Sequence, residues 1–572
     1  MQRTHHNNEL TLQNVNEKVC LRGWVSKQRD LGELIFIDLR DKEGITQIRI
    51  NSNNEYFEEA KKIRNEYVIY VEGVVVERES KNKNILTGDI EIEVSLLKVL
   101  NTAKNPPIII SNNTDAIEET RLKYRYLDLR RPVMQNYLIQ RHKIIQSIRE
   151  YLVSNEFLEL ETPILAKSTP EGARDYLVPS RIYHGEFYAL PQSPQIFKQL
   201  FMVAGFERYF QFAKCFRDED LRADRQLEFM QLDMEMSFMS ELEIQTMIEG
   251  LLKKLFKDLL NLDIPTPFRR VKYEDAMNIY GSDKPDTRFE MHLTEFTEYM
   301  SDKNIPFFEG KHVKGIICDG KTFTRKVFDE FTNFVKKYRA KGLAYVKYQN
   351  NELTGSIAKF LTTDIAEKYN LKDGDCILLV SDEKLGVVNQ ALGALRLEVA
   401  KRLNMIDKSL YNFLWVVDFP LYEYSEDDNR LYAAHHPFTH PKEGQEEIMA
   451  NDPVNCLAAA YDVVLNGYEL GGGSLRIYNE DMQNLMFKNL GFSEQDIEEK
   501  FGFFVEALKY GTPPHGGLAI GLERLVMLIT KTDNIKDVVA FPKSQSARCQ
   551  MMQCPSKVDD IQLEELGIKF DE

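Results

Sequence analysis

The stretch of sequence that decides the fold runs from Tyr209 to Met236 and reads YFQFAKCFRDEDLRADRQLEFMQLDMEM. Two segments with alternating apolar side chains flank a charged stretch, and this pattern predicts two β-strands joined by a loop. Because side chains alternate between the two faces of a strand, every second residue of the second segment shares a face. One face carries Met230, Leu232, Met234 and Met236, and the other carries Phe229, Gln231, Asp233 and Glu235. The hairpin therefore predicts a sheet with an apolar back and a polar front.

The polar front extends to the end of the first strand, where Arg217 and Glu219 fall on one side and three phenylalanines on the other. An arginine, acidic groups, an amide and an aromatic ring on one surface suit a nucleotide together with an ammonium group. The alternative is an antiparallel sheet with one face in water, which is common. The alternation alone leaves both interpretations open.

A second segment, Gly516 to Leu528, reads GGLAIGLERLVML. Its glycines permit close approach of the backbone, and the apolar run that follows predicts a helix. Arg524 then lies in the first turn of that helix, where a cation opposes the helix dipole at a cost of about 0.3 to 1 kcal/mol. A bound triphosphate would compensate for this cost. Pairing of Arg524 with the neighbouring Glu523 is the simpler alternative.

A third segment, Tyr461 to Arg476, places two carboxylates, Asp462 and Glu469, before three glycines and an arginine. Carboxylate oxygens are suitable ligands for a Mg²⁺ ion that also binds a polyphosphate. Taken singly, the sequence GGGS indicates only a flexible turn.

The remaining sequence indicates several domains, because 572 residues are too many for one hydrophobic core. Short predicted strands fill the first 105 residues and favour a small barrel, with strands at Val19–Val25, Leu34–Leu39, Thr46–Ile50, Tyr67–Val76 and Ile90–Leu97. A linker follows, and apolar residues at helical spacing predict a helix over Asn136 to Phe157. The Lys-rich block between about 282 and 412 lacks motifs and is interpreted as an inserted domain. We expect six segments: 1–105, 106–134, 135–281, 282–412, 413–541 and 542–572.

Composition narrows the class of protein further. The net charge of −16 argues against indiscriminate nucleic-acid binding, although a local basic face near the N-terminus stays compatible with RNA. Seven scattered cysteines without a CxxC pair predict reduced thiols, and neither His5-His6 nor His435-His436 has the partners of a metal site. No apolar run is long enough to cross a membrane, and the polar start lacks an apolar leader segment. We therefore expect a cytoplasmic protein without a membrane partner.

Together these segments resemble the three motifs of the class II aminoacyl-tRNA synthetases, in the family's order. Glu161-Thr162-Pro163 is similar to the end of motif 1, Phe216 to Asp233 to motif 2, and Gly517 to Arg524 to motif 3. Three further strings resemble the bacterial-type aspartyl-tRNA synthetases of class IIb. They are STPEGARDY at 168–176, QSPQIFKQ at 192–199 and HHPFT at 435–439. The resemblance covers the whole chain.

The resemblance implies an α+β fold built on the class II antiparallel sheet flanked by helices. It identifies segment 1–105 as an anticodon-binding OB-fold barrel, 106–134 as a hinge, and 135–281 and 413–541 as the two parts of the catalytic domain. Segment 282–412 is similar to the inserted α+β domain of the bacterial form, known as the GAD domain, and 542–572 is a C-terminal extension. The implied activity is ATP-dependent activation of L-aspartate and its transfer to tRNA(Asp).

The resemblance also assigns roles to individual residues. Those implied for aspartate are Glu171, Gln195, Lys198, Arg217, Asp233, His435, His436 and Arg476. Those implied for ATP are Arg217, Asp218, Glu219, Gln226, Phe229, Glu469, Gly521, Leu522, Glu523 and Arg524. Asp462 and Glu469 are implied as Mg²⁺ ligands, and Arg217, Glu219 and Arg524 as the catalytic residues. Lys198 and Arg476 suit the side-chain carboxylate of aspartate and are poorly matched to the amide donors of asparagine.

In the barrel, alternation puts Phe36, Asp38 and Arg40 on one face beside Gln47, and an exposed aromatic ring amid polar donors suits the stacking and reading of unpaired bases. A core position is the ordinary alternative for Phe36. The resemblance implies that Arg29, Leu31, Phe36 and Gln47 contact the anticodon, and that the enzyme is a homodimer. Leu31 favours a form that charges only tRNA(Asp).

Three alternatives stay open at this point. A non-discriminating form would also charge tRNA(Asn). A sibling class IIb enzyme would use asparagine or lysine, against which the aspartate strings and the insert argue. A non-catalytic, synthetase-like RNA-binding protein should have lost Arg217, Glu469 or Arg524, and all three are present.

Overall fold

The computed structural model describes residues 2–169, 172–221 and 224–570. Backbone contacts divide the chain into two compact units, each built from separate stretches of sequence. The first unit comprises Met1–Arg141, Leu221–Gln226 and Thr532–Lys557, and the second comprises His142–Asp220, Leu227–Lys531 and Val558–Glu572. None of the described helices combines the length and apolar character that a bilayer-spanning segment requires. All seven cysteines carry free thiols.

The first unit contains the predicted barrel. Its elements are β1 (Lys18–Asp30), β2 (Leu34–Arg40), β3 (Ile45–Asn51), α1 (Phe57–Ala60), β4 (Val68–Glu77) and β5 (Ile90–Asn101). They close in the order β1-β2-β3-β5-β4, and only the β3–β5 pair is parallel. β1 runs five residues beyond its predicted end at Val25. A bulge between Val25 and Lys27 shifts the register there and breaks the alternation on which the prediction depended.

Three helices follow the barrel in the chain: α2 (Glu118–Lys123), α3 (Arg125–Asp128) and α4 (Pro132–Ser154). α4 confirms the helix that apolar spacing predicts, but it begins four residues earlier, at Pro132. A proline is well tolerated at the first helical position, because its missing N–H has no partner inside the helix.

The second unit begins with β6 (Leu158–Glu159), β7 (Leu177–Pro179), β8 (Phe187–Ala189), α5 (Gln195–Val203), β9 (Arg208–Phe216), β10 (Glu228–Ser237), α6 (Glu241–Leu260), β11 (Arg269–Lys272) and α7 (Tyr273–Tyr280). The block predicted as an insert contributes β12 (Leu293–Glu295), α8 (Thr297–Ser301), β13 (His312–Asp319), α9 (Arg325–Lys336), β14 (Ala344–Gln349), β15 (Glu352–Gly355), α10 (Asp364–Lys368), β16 (Asp375–Asp382) and α11 (Leu385–Arg402). The remaining elements are β17 (Phe413–Val417), β18 (Tyr422–Ser425), β19 (Arg430–Ala433), α12 (Glu446–Asn451), β20 (Ala460–Leu465), β21 (Tyr468–Leu475), α13 (Glu480–Asn489), α14 (Glu494–Leu508), β22 (His515–Gly521), α15 (Leu522–Thr530) and α16 (Asp560–Leu566).

The central sheet of the second unit has eight strands in the order β11-β17-β20-β21-β22-β10-β9-β6. β9 and β10 form the predicted antiparallel hairpin, and its apolar back is buried: Leu232, Met234 and Met236 are each 0% exposed. The antiparallel pairs β10–β22 and β21–β22 then bring the second and third sequence segments beside this hairpin. Three stretches far apart in sequence thus become neighbours in one sheet.

The insert forms a sheet of its own, in the order β12-β13-β16-β14-β15. Two hydrophobic cores cover it. One contains Phe328 and Phe331 of α9 with Leu392 and Leu395 of α11, and the other contains Ile365 of α10. The block thus has its own sheet and hydrophobic clusters, while an inserted domain bounded at 282 and 412 stays a prediction.

Candidate active site

The site lies on the polar face of the central sheet, where four strands align their side chains in a row. Asp233 pairs with Ala519, Ala519 with Gly472, and Gly472 with Asp462. Directly paired residues of antiparallel strands point to the same face, so two carboxylates stand on this face with small residues between them. A Cβ at Gly472 would lie 2.5 Å from Asp462 Oδ1. Glycine is therefore required there for the carboxylate to keep its position.

The next row carries Glu235, which pairs with Gly517, and Gly517 pairs with Ser474. A Cβ at Gly517 would lie 2.0 Å from Glu235 Oε2, so the carboxylate occupies the space that the glycine leaves. The glycines of the second and third sequence segments thus make room for acidic side chains in the middle of the sheet.

Two cations meet two carboxylates at this place. Lys198 Nζ lies 2.6 Å from Asp233 Oδ1 and 3.3 Å from Glu235 Oε2. Arg476 Nε lies 2.9 Å from Glu235 Oε1, and its Nη2 lies 3.2 Å from Glu235 Oε2. No member of the four is more than 2% exposed. The polar front of the hairpin is therefore a buried, charge-balanced network, and the alternative of an ordinary sheet face in water does not hold.

The two acids of this network differ in their electrostatic surroundings. Burial raises the pKa of Asp233, and Lys198 opposes this only in part. Burial alone would also raise the pKa of Glu235, but the combined attraction of Arg476 and Lys198 outweighs it and lowers the pKa. Glu235 is thus a firmly ionised centre of the network.

His436 borders this network. Its Nε2 lies 2.6 Å from Arg476 Nη1, and its Nδ1 lies 3.2 Å from the backbone nitrogen of Phe438. Each ring nitrogen thus faces an N–H donor, so a second proton on the ring would be unfavourable. Burial, together with the positive charge of Arg476, lowers the pKa of His436 well below its ordinary value, so the ring is neutral. The neighbouring His435 has its Nε2 3.8 Å from Asp462 Oδ1.

Asp462 and Glu469 form the second acidic group of the site. Both carboxylates approach the open side of Gly472, where the added Cβ would lie 2.5 Å from Asp462 Oδ1 and 3.7 Å from Glu469 Oε1. The charge of Asp462, followed by burial, raises the pKa of Glu469. Two like charges held together by the fold are the arrangement that a hard cation stabilises. Among the described residues there is no group of three or more His, Cys, Asp or Glu side chains with metal-site geometry.

Several of the residues expected to bind ATP contact one another or the strands of the central sheet. The guanidinium carbon of Arg217 lies 5.0 Å from the centre of the Phe229 ring. Arg524 is in the first turn of α15, as predicted, and its Nη1 donates to the backbone carbonyl of Glu469. Glu523 Oε2 accepts a 3.0 Å hydrogen bond from the backbone of Met230, which fastens α15 to β10. Gly521 caps this helix, and Leu522 is fully buried.

Among the residues predicted for the site, the described structure leaves four buried polar atoms without a hydrogen-bond partner: Gln195 Nε2, Arg217 Nε, Asp233 Oδ2 and His435 Nδ1. Such atoms are costly unless something pairs with them. An ammonium group would supply donors to Asp233, and a carboxylate or phosphate would accept from Arg217. The fold therefore has unused hydrogen-bonding capacity at the residues predicted for the amino acid and the α-phosphate.

The other predicted residues differ in their surroundings. Asp218 donates its backbone N–H to the carbonyl of Arg174 at 3.0 Å, and Glu219 is half-buried. Gln226 belongs to the first unit, where its carboxamide bonds with the backbone of Lys543. Glu171 lies outside the described residues.

In the barrel, three of the four predicted anticodon residues form one polar group. The guanidinium carbon of Arg29 lies 5.9 Å from the centre of the Phe36 ring. Arg29 Nη2 donates to Gln47 Oε1 at 3.1 Å. Phe36 is half-buried and not part of the core, and Leu31 is 68% exposed. Arg40 corrects the expectation of a shared reading face, because it is 5% exposed and pairs with Glu66 at 2.8 Å.

Sequence reasoning missed the role of Glu235, although alternation put it on the same face as Asp233. The two-residue spacing was the available signal. A buried second acid on the face of a predicted cationic pocket needs a positively charged partner. Glu235 has two, Lys198 and Arg476.

Comparison with known proteins decides the family. Residues 117–545 match the family described as tRNA synthetases class II (D, K and N), and residues 19–100 match the OB-fold nucleic acid binding domain. The chain belongs to the class II aminoacyl-tRNA synthetases. The resemblance stated from the sequence motifs is thereby confirmed, as are the catalytic fold and the N-terminal OB-fold.

Curated relatives agree with this family. The chain is 54% identical to proteins named Aspartate--tRNA(Asp/Asn) ligase from Bacillus anthracis (strain CDC 684 / NRRL 3495) and Bacillus cereus (strain B4264), over 100% of this chain and 99% of each relative. Among solved structures, asparaginyl-tRNA synthetase from Pyrococcus horikoshii with asparaginyl-adenylate matches with a TM-score of 0.60 and 20% identity, over 95% of this chain and 99% of that chain. Aspartyl-tRNA synthetase from Entamoeba histolytica matches with a TM-score of 0.59 and 20% identity, over 94% and 91%. These structures share the fold.

Proposed function

We propose that the chain is an aspartate–tRNA ligase, which joins L-aspartate and ATP to form aspartyl-adenylate and then transfers aspartate to the 3′ end of tRNA(Asp). The observation that carries the proposal is the buried pair of cations, Lys198 and Arg476, beside an acid with an unpaired oxygen, Asp233 Oδ2. The relatives' names support the same amino acid.

Lys198 and Arg476 would bind the side-chain carboxylate of the substrate, because both are donors without acceptor capacity. The amide nitrogen of asparagine would face these donors with further N–H groups, and this mismatch disfavours it. Asp233, Gln195 and Glu171 would surround the substrate ammonium. His435 and the neutral ring of His436 would complete the wall around the substrate.

ATP would lie along the strands toward Asp462. Phe229 would stack on adenine, Arg217 would bind the α-phosphate and the α-carboxylate of aspartate, and Arg524 would bind the γ-phosphate. The remaining contacts would come from Asp218, Glu219, Glu469, Gly521, Leu522 and Glu523. Asp462 and Glu469 would hold Mg²⁺, which supplies charge neutralisation to the diphosphate.

The chemistry needs no nucleophile from the protein. An α-carboxylate oxygen of aspartate attacks the α-phosphorus of ATP in line, and the bond to the diphosphate breaks as the new bond forms. Arg217 stabilises the charge that develops on the α-phosphate. In the second step a hydroxyl of the terminal ribose of tRNA attacks the acyl carbon, and AMP leaves. Positioning and electrostatic stabilisation account for the catalysis.

The partners would be tRNA, through the barrel group of Arg29, Leu31, Phe36 and Gln47, and a second copy of the chain. The dimer is supported by exposed apolar side chains beside the motif 1 segment: Leu158, Ile164 and Leu165 are 49%, 50% and 51% exposed. Neighbouring large apolar side chains on a surface commonly mark an interface. As an enzyme of translation it would act in the cytoplasm.

The activation step is tested by ATP–pyrophosphate exchange. Exchange should depend on aspartate and fall by about 10² to 10³ in Arg217→Ala, the usual cost of removing one donor to transition-state charge. Arg325→Ala, which removes an exposed arginine at the start of α9, is the matched control and should leave exchange unchanged. An unaffected Arg217→Ala variant would overturn the role of this site. A chain without any aspartate-dependent exchange would be the non-catalytic alternative.

A second candidate function is charging of tRNA(Asn) with aspartate, which the Asp/Asn names of the Bacillus relatives favour. Purified tRNA(Asp) and tRNA(Asn) charged side by side separate the two forms. Comparable aspartylation of both would establish the non-discriminating form. A preference for tRNA(Asp) of more than about tenfold would establish the form that Leu31 favours. A preference of this size corresponds to the discrimination that one good base contact provides.

A further inference from the structure

The loop that joins β9 to β10 is fastened at its end by a residue 317 positions further along the chain. The backbone N–H of Lys543 donates to Gln226 Oε1 at 2.8 Å, and Gln226 Nε2 donates to the carbonyl of Lys543 at 3.4 Å. Gln226 Nε2 also donates to the carbonyl of Arg225 at 3.2 Å. Gln226 is only 4% exposed. Its carboxamide therefore makes the two hydrogen bonds that a neighbouring peptide group would make.

The segment that carries Lys543 is itself held by a buried arginine. Arg125 of α3 is 2% exposed and donates to three backbone carbonyls: those of Lys536 at 2.6 Å, Val539 at 2.8 Å and Ala540 at 2.9 Å. Ala540 lies three residues before Lys543. A guanidinium that spans three carbonyls fixes the path of the backbone there, since the five donors of arginine have a rigid geometry.

Arg125 is in turn oriented by Asp128, which is 0% exposed and accepts from Arg125 Nη1 at 2.7 Å. Arg131 and Arg121 donate to the same carboxylate at 2.6 and 3.0 Å. Burial opposes ionisation of Asp128, but the bonds from these arginines outweigh it and lower its pKa. Arg121 also contacts Asp537, at 3.3 Å, inside the segment that Arg125 holds. The whole group is a charged clamp on residues 536–540.

On the other side of Lys543 the chain closes into a turn, where Ser544 N–H donates to the carbonyl of Arg548 at 2.8 Å and Ala547 N–H to the carbonyl of Ser544 at 2.9 Å. Pro542, immediately before Lys543, is buried and has a fixed φ. Lys543 is therefore fixed from both directions, and its peptide groups form a rigid anchor for Gln226.

Gln226 precedes Leu227, whose carbonyl accepts the backbone N–H of Arg217 at 2.9 Å. That bond closes the base of the loop, and Phe229 follows two residues later. Holding Gln226 thus restricts Leu227 and, through it, the backbone that carries Arg217 and Phe229.

We propose that Gln226 is a positioning residue: its side chain binds the C-terminal segment at Lys543 and thereby holds the end of the loop, from Gln226 to Phe229. Through the bond from Arg217 to Leu227 this also holds the backbone of Arg217, so that Arg217 and Phe229 are presented to ATP. The C-terminal extension then has a role in the activation step although it supplies no group to the substrates. This inference rests on the proposed ATP site, but not on the identity of the amino acid.

The first test uses the backbone of Lys543. Lys543→Pro removes the N–H that donates to Gln226, while Lys543→Ala removes the same side chain and keeps that N–H. Loss of the bond leaves a buried acceptor unpaired, so the KM for ATP in pyrophosphate exchange should rise about tenfold in Lys543→Pro and less than about twofold in Lys543→Ala. A merely structural defect would lower kcat through loss of active enzyme and leave the KM for ATP unchanged. Equal KM values in the two variants would overturn the proposal.

The second test is a double-mutant cycle with Gln226→Met, which keeps the size of the side chain and removes its hydrogen bonds. If Gln226 acts through Lys543, the variant with both Gln226→Met and Lys543→Pro should be no worse than the more impaired single variant. Losses that multiply would mean that the Gln226 side chain acts on ATP independently, and would overturn the proposal.

The third measurement does not depend on activity. Amide hydrogen exchange of the peptide spanning residues 216–229 should be faster in Lys543→Pro than in Lys543→Ala, while the peptide over α6 should exchange equally in both. Unchanged exchange in the loop would contradict the anchoring role. Suppose that amide exchange of the loop is faster in Lys543→Pro but the wild-type protein does not activate aspartate. The anchoring role of Gln226 would then stand, and only the proposed function would be refuted.

Discussion

The site contains two groups of buried acids that differ in their electrostatic balance. Glu235 lies between Lys198 and Arg476, and their attraction lowers its pKa. Glu469 lies beside Asp462, whose charge raises its pKa. Both acids belong to one sheet, on strands β10 and β21, yet nearby cations lower the pKa of Glu235 and a second carboxylate raises the pKa of Glu469.

In the proposed site, this difference separates the end that would bind the amino acid from the end that would bind the phosphates. The amino-acid end is organised before any ligand binds, because its charges are paired and its side chains are held by short hydrogen bonds. The phosphate end stores repulsion between two carboxylates, which a bound cation would relieve. In the proposed site, selectivity for the amino acid would therefore come from a rigid pocket, whereas the phosphate end would need a bound cation to complete it.

The same substitution in the two places should have opposite effects on stability, and the largest is expected at Glu235. Glu235→Gln leaves Lys198 and Arg476 without their shared counter-charge, so the free energy of unfolding should fall by about 3 to 5 kcal/mol. Urea unfolding measured by circular dichroism gives this value. A change below about 1 kcal/mol, typical of a surface ion pair, would mean that the network is not electrostatically coupled.

Glu469→Gln should lower the activity of the enzyme without lowering its stability. The variant removes one of two repelling charges, so its urea midpoint should equal or exceed that of the wild type. Loss of a ligand to the cation that stabilises the diphosphate should lower kcat of pyrophosphate exchange by about 10² to 10³, as for other electrostatic groups. A clear loss of stability, or full activity, would contradict the unbalanced character of this pair.

Two neighbouring glycines of β21, Gly472 and Gly473, should differ in whether their substitution by alanine lowers activity or stability, and these effects should be smaller. In Gly472→Ala the new Cβ meets only the tip of Asp462, at 2.5 Å, which can move aside. We expect a folded enzyme whose exchange is about tenfold slower, since a misplaced group commonly costs 10- to 100-fold. In Gly473→Ala the Cβ meets the backbone carbonyl of Gly517 at 2.1 Å, so this variant should lose stability first. Equal melting temperatures for the two would refute the distinction.

The smallest effect is a dependence of stability on pH through His436. Its pKa is lowered in the folded state by burial beside Arg476, so below the ordinary histidine value of about 6.5 the unfolded chain binds a proton that the folded chain does not. Stability contributed by this group is therefore present above that pH and is lost as the pH falls. The slope should reach about 1.4 kcal/mol per pH unit, and His436→Gln should reduce it. Identical slopes for variant and wild type would contradict the neutral state of the ring.

Strand alternation was sufficient to predict the hairpin, its two faces and the position of Asp233, because a period of two is fixed by backbone geometry. It was not sufficient for Lys198, which reaches Asp233 across 35 residues from a separate helix. Contacts of that kind depend on how helices pack on the sheet, and only the family resemblance pointed to them. The resemblance likewise implied a role for Gln226 at ATP. Its bond to Lys543 joins residues 317 positions apart, and no local sequence pattern predicts such a contact. In β1 the alternation of side chains predicted too short a strand. The bulge between Val25 and Lys27 interrupts the alternation, although the strand continues to Asp30.

The most direct test of the central claim compares amino acids in wild-type pyrophosphate exchange. Two buried cations beside a carboxylate pocket predict a kcat/KM for L-aspartate at least about 10²-fold above that for L-asparagine, because the amide leaves both donors unmatched. L-Lysine should give no exchange. Equal exchange with aspartate and asparagine would contradict the assignment of Lys198 and Arg476 to the substrate side chain, and with it the proposed function.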